Sequence, residues 1–192
     1  MIYNFNKLGL DFYLQRQELC VISYGGSCSN ALVDALETNG LRIRTDLWRD
    51  IICHCPIYFD MNIPVIYVYD NPIKSFLSMK KRGKGYWDVN QEKLSNNYDV
   101  EYSDENLFKL MIKQFKMWTK WKSSNLLVIK SEDLFKKDII RKLSVFLKKT
   151  NLINFPLKYK KSNIDLNLIK ILENEKDLFL KYKEDIDRIN NY

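Results

Sequence analysis

A chain of 192 residues, 46% hydrophobic and 29% charged, has the length of one domain spanning residues 1–192 and the profile of a folded globular protein, which excludes a disordered or fibrous polymer. The formal net charge of +7 is explained by a Lys-rich solvated surface or by attraction to an anionic partner such as a nucleotide or a sulfated sugar; no nucleic-acid-binding signature accompanies it, so nucleic acid is not expected. No apolar run approaches the ~20 residues of a membrane span, and MIYNFNKLGLDFYLQRQ lacks the basic-then-apolar order of a signal peptide; a cytoplasmic chain with no membrane partner is expected.

LCVISY (Leu19–Tyr24) is a short apolar run ending at glycines and predicts a buried strand. Ser29 to Asn39 predicts a helix with Leu32, Val33 and Leu36 on one face, Ser27 or Ser29 at its cap and Gly40 past its end. DIICHC, stopped by Pro56, predicts a second strand, and Pro64–Tyr69, rich in β-branched and aromatic residues, a third. DNPIKSFLSMKKR predicts a helix capped by Asp70 or Asn71, with Pro72 in its first turn. RGKGYWD (Arg82–Asp88) reads as a basic-aromatic loop. From Glu105 to Trp121 the positions Leu107, Phe108, Met111, Phe115, Trp118 and Trp121 recur every three or four residues, as in an amphipathic helix whose tryptophans face the core. Asn125–Lys130 predicts a fourth strand, Asp138 to Lys149 a helix, and Leu166 to Ile189 a helix broken near Asn174.

Strands alternating with helices predict an α/β fold, three-layered, with a mostly parallel sheet flanked by helices. Ligands of such sheets bind at the carboxyl ends of strands, beside helix N-termini. The loop Gly25, Gly26, Ser27, Cys28, Ser29, Asn30 occupies that position. Small residues there leave the first N–H groups of the helix open to an anion. The four cysteines, Cys20, Cys28, Cys53 and Cys55, read as reduced thiols. CHC at 53–55 invites a metal reading, but on a strand His54 points to the opposite face from its neighbours, so no metal is expected.

Three segments, in order, resemble the cytosolic type of sulfotransferase. ISYGGSCSNAL lies where that family carries a Tyr-Pro-Lys-Ser-Gly-Thr-Thr-Trp loop, ICHCP resembles its Lys-Thr-His-Leu-Pro, and VIYVYDNPIKSFLS resembles its strand, Arg-Asn-Pro and following serine. The tryptophan-bearing helix, NLLVIKSEDLF and the next helix continue the likeness, so it covers roughly Leu19 to Leu147. The resemblance implies a P-loop NTPase-like sulfotransferase architecture. It implies an enzyme that moves a sulfuryl group from 3'-phosphoadenosine 5'-phosphosulfate (PAPS) to a hydroxyl or amine of a small-molecule or saccharide acceptor. His54 is then the general base, Gly25–Asn30 the cradle of the 5' end, and Asp70 and Ser78 stand at the 3'-phosphate. Gly26, Asp70 and Ile52 replace a lysine, an arginine and a lysine of the family pattern, so Lys74, Lys80 or Arg82 is expected to supply the missing cation, with Asp70 turned to cap its own helix. The alternative is a non-catalytic nucleotide-binding or interaction module on the same fold.

Overall fold

The computed structural model describes residues 18–44, 53–55, 63–95, 101–153, 155–158 and 166–192. Among them three strands form one parallel sheet: β1 (Cys20–Ser23), β2 (Val65–Tyr69) and β3 (Leu126–Lys130), in the order β1-β2-β3. Cys20 pairs with Val65 and Ser23 with Val68; Val65 pairs with Leu126 and Tyr69 with Lys130. The apolar run VIYVY makes β2 the central strand, because a parallel strand covered on both faces has no position for an exposed polar residue. β3 is only partly buried.

α1 (Ser29–Thr38) follows β1 and ends at Asn39 and Gly40, whose φ of +79° is the left-handed turn that stops a helix. After β2 come α2 (Pro72–Lys81), α3 (Lys84–Ser95) and α4 (Asp104–Lys120). α2 is capped by Asn71, whose side chain accepts from the N–H groups of Ile73 and Lys74 at 2.9 and 3.1 Å. Ser103 caps α4 through the N–H of Asn106, with Asp104 and Glu105 complementing the dipole in the first turn. The buried stripe of α4 carries Leu107, Phe108, Met111, Phe115 and Trp118; Trp118 stacks on Tyr67 of β2 with ring centres 5.7 Å apart. A 3₁₀ turn (Ser131–Phe135), α5 (Ile139–Leu147) and three short helices, α6 (Leu166–Asn174), α7 (Lys176–Lys181) and α8 (Lys183–Asn190), complete the order. Phe179 packs on Phe76 and Phe108, joining α7 to α2 and α4. Among the described residues no helix is long and apolar enough to cross a membrane.

The fold is α/β with a parallel sheet, as the alternation predicts, and four local expectations change. Residues 53–55 form a turn rather than the end of a strand, since their carbonyls go to separate partners instead of a ladder; residues 50–52 and Pro56 lie outside the described residues. Arg82–Asp88 is no open loop. Gly83, at φ +91°, ends α2, and α3 begins at Lys84. Buried Asn90, Gln91 and Leu94 hold α3 in place, with Gln91 accepting from Ser103 and Asn106 at the start of α4, so packing overrides the local glycines. Trp121 is the residue after α4 and is 49% exposed, so of the two tryptophans only Trp118 joins the core. The C-terminal helix breaks twice, at Glu175 and Tyr182.

Candidate functional site

β1 runs out at Ser23 and the chain crosses over the end of the sheet before α1 begins. The crossing uses left-handed backbone at Gly25 (φ +97°), Gly26 (+66°) and Cys28 (+61°). At Gly26 the loop rests on the backbone of α2: a Cβ there lies 2.5 Å from the carbonyl oxygen of Ser75 and 2.8 Å from its Cα. Only glycine fits. A lysine at this position, as in the sulfotransferase pattern, has no room, because the loop sits directly on α2.

Neither serine caps α1, contrary to the sequence expectation. Cys28 takes the cap position without a side-chain bond, Ser27 donates to the carbonyl of Val68 at 3.3 Å, and Ser29 accepts from Ser23 at 3.0 Å. The sheet has drawn both hydroxyls away. The first helical bond is from Leu32 N to Cys28 O, and the N–H groups of residues 26 to 31 have no acceptor among the described residues. Successive N–H groups in left-handed and helical backbone form a concavity of positive potential.

That loop, from Gly25 to Asn30, lines a cavity of about 490 Å³, within the range of small-molecule sites. His54 lines it too, carried by the 53–55 turn. The turn is pinned to β1 by the bond from Ser23 N to Cys53 O at 2.9 Å. His54 Nδ1 lies 2.7 Å from the carbonyl oxygen of Ser23. A carbonyl only accepts, so in the neutral ring Nδ1 carries the proton and Nε2 presents a lone pair. Nε2 has no partner among the described residues. Burial lowers the pKa of His54 to about 4, with Lys93 and Arg82 adding to the effect and the bond to Ser23 opposing it. The imidazole is thus neutral at pH 7.

Arg82 and Lys93 bring positive charge to the cavity, which Arg44 and Asp34 also line. Arg82 lies over the ring of Tyr86, 4.7 Å from its centre, and donates to the Tyr86 hydroxyl. Arg44 pairs with Asp34 and Glu37 at the rim. Cys28 lines the cavity as a thiol: burial raises its pKa and the charge of Asp70 adds to this, against Arg82.

The 3'-phosphate residues expected from sequence do not join the cavity lining. Ser78 shares a face of α2 with Ser75 and Arg82 but stays outside it, and so does Asp70. The Asp70 carboxylate accepts from the N–H of Asn71 at 2.6 Å and from the hydroxyl of Ser131, while the cap of α2 is Asn71. Lys74 is exposed and away from the cavity, and Lys80 is held by Asp104 at 2.7 Å and lies over Trp87. Of the three cations named from sequence, Arg82 alone lines the cavity. Sequence reading missed Arg44, Tyr86 and Lys93. Arg44 and Lys93 come from distant segments with no local pattern, whereas Tyr86 stood in a segment already marked as basic and aromatic.

Among the described residues no group of three or more His, Cys, Asp or Glu is placed to hold a metal ion. Comparisons of the chain with family models, curated proteins and solved structures find no match.

Proposed function

We propose that the chain is a divergent PAPS-dependent sulfotransferase of P-loop-like, three-layer architecture. The observation that carries this reading is the meeting, in one cavity, of an uncapped helix N-terminus, a neutral histidine with an open Nε2, and Arg82. The open N–H groups of residues 26 to 31 fit the phosphosulfate end of the donor. The acceptor hydroxyl gives its proton to His54 Nε2 as its oxygen bonds to sulfur. The sulfur–oxygen bond to the phosphate breaks, and 3'-phosphoadenosine 5'-phosphate (PAP) leaves with the electron pair. Charge grows on the bridging oxygen, where fixed N–H donors and a guanidinium act most strongly. Placing acceptor and sulfur in line supplies the rest.

A second reading, an anion- or nucleotide-binding module without turnover, draws support from Asp70 and Ser78, which stand outside the cavity. One set of measurements separates the two. On the first reading PAP raises the melting temperature more than AMP does, since only PAP carries the 3'-phosphate, with the gain growing as its concentration passes Kd. His54→Ala then leaves PAP affinity within about twofold and lowers transfer about 10²–10⁴-fold. Equal shifts from PAP and AMP, or none, remove the case for a 3'-phosphate site. Tight PAP binding without transfer to a broad panel of hydroxyl and amine acceptors gives the second reading the lead.

A further inference from the structure

The buried stripe of α4 is apolar except at Gln114, which has no exposed surface. A buried amide is costly unless bonded, and a methionine would pack there without that cost. What Gln114 bonds is the turn that carries His54. Its Nε2 donates to Cys55 O at 2.8 Å and to Ser23 O at 3.3 Å, and its Oε1 accepts from Tyr67. One turn along α4, the indole N–H of Trp118 also donates to Cys55 O, at 2.9 Å. The carbonyl after His54 is therefore held by two donors of α4, and the carbonyl before it by Ser23 N. Ser23 O, in turn, receives both His54 Nδ1 and Gln114.

We propose that Gln114, with Trp118 beside it, is a positioning residue: it fixes the 53–55 turn so that His54 keeps its proton on Nδ1 and presents Nε2 to the cavity. This rests on the reading of His54 as the base, but its test needs no donor or acceptor. His54 is the only histidine of the chain, so the imaging of one imidazole by ¹⁵N NMR is unambiguous. In the wild-type protein the Nδ1–H tautomer is expected to dominate. In the double variant Q114M/W118F Cys55 O loses both donors; Gln114→Met nearly conserves volume, whereas Trp118→Phe also leaves a smaller ring in a fully buried site. The tautomer population is then expected to move toward Nε2–H, the form a free imidazole favours, and the titration midpoint to rise from about 4 toward 6.5. Q114M or W118F alone gives the same shifts with smaller amplitude, should the double variant not fold. M111L, elsewhere on the same stripe, is the control and leaves both readouts at wild-type values. If the sulfotransferase reading also holds, kcat falls by about 10²-fold with little change in donor KM. A folded variant with wild-type tautomer and titration overturns the proposal, as does an equal shift in M111L. A failure of PAP binding overturns the function and leaves this result standing.

Discussion

Gly26→Ala tests the claim that the loop and α2 touch backbone to backbone. Two costs add. Alanine in left-handed backbone loses about 1 kcal/mol, since φ here is +66°. A Cβ 2.5 Å from Ser75 O and 2.8 Å from Ser75 Cα meets helix backbone rather than a flexible side chain, so α2 and the loop must separate, at a further ~1–3 kcal/mol. The sum is about 2–4 kcal/mol. Gly40→Ala isolates the first cost, because φ there is +79° and nothing lies within 4 Å of the added Cβ. In urea unfolding both variants should keep the wild-type slope, with Gly26→Ala losing two to four times as much stability as Gly40→Ala. By melting temperature, at roughly 2–4 °C per kcal/mol for a chain of this size, the losses are about 4–16 °C and about 2–4 °C. Equal losses in the two variants would refute the contact. Gly26→Lys, the residue the sulfotransferase pattern has at this position, places the same Cβ against Ser75 and, on the proposed reading, is expected to weaken PAP binding rather than strengthen it.

Acid should destabilise the protein through His54. Its folded pKa of about 4 lies below the 6.5 of a free histidine, so the unfolded chain takes up a proton first; stability is full above about pH 6.5 and falls by up to about 3 kcal/mol as the pH drops to about 4. His54→Gln removes that component, and parallel melting-temperature profiles for the two proteins between pH 7 and 4 would count against it. Arg82→Ala, at an exposed position, should change stability by less than about 0.5 kcal/mol while lowering the affinity for PAP severalfold by calorimetry; undiminished affinity would assign the anion's charge partner elsewhere. Asp70→Arg should leave PAP affinity unchanged, because Asp70 does not line the cavity, and should cost about 1–3 kcal/mol by depriving the buried Ser131 hydroxyl of its acceptor. Tighter PAP binding in that variant would bring the 3'-phosphate back to Asp70.

What could be read from the sequence was whatever a short window dictates. The apolar runs at 20–23 and 65–69 have no stable place except a covered sheet, and the Leu107–Trp118 spacing has none except a buried helix face. The position of the loop followed from the order of strand, glycines and helix. Residues whose partners are distant were illegible. Ser27 and Ser29 are good caps by type, but Val68 and Ser23, brought close by the sheet, claim their hydroxyls. Gly83 and Gly85 look like loop punctuation until Gln91 is seen to bond the start of α4. One distant partner had left a visible sign: a glutamine at position 114, in the middle of an apolar stripe, marks a place where a buried donor has something to hold.

The positions at which the chain differs from the sulfotransferase pattern it resembles are linked by packing. Gly26 lets the loop lie directly on Ser75, which leaves no room for a side chain between loop and α2. The same end of β2 delivers Asp70, and its carboxylate is engaged by Ser131 and the first N–H of Asn71. With both positions committed to joining the loop, β2, α2 and the turn after β3, positive charge reaches the cavity from other elements: Arg82 from the end of α2 and Lys93 from α3, while Arg44, from the segment after α1, is paired with Asp34 and Glu37. On the proposed reading, a cavity whose cations stand near an uncharged histidine and an uncapped helix would attract an anion while leaving the imidazole unprotonated. Lys93 and Arg82 further disfavour the imidazolium, so on the proposed reading the same cations that would attract a phosphosulfate would also keep His54 able to accept a proton.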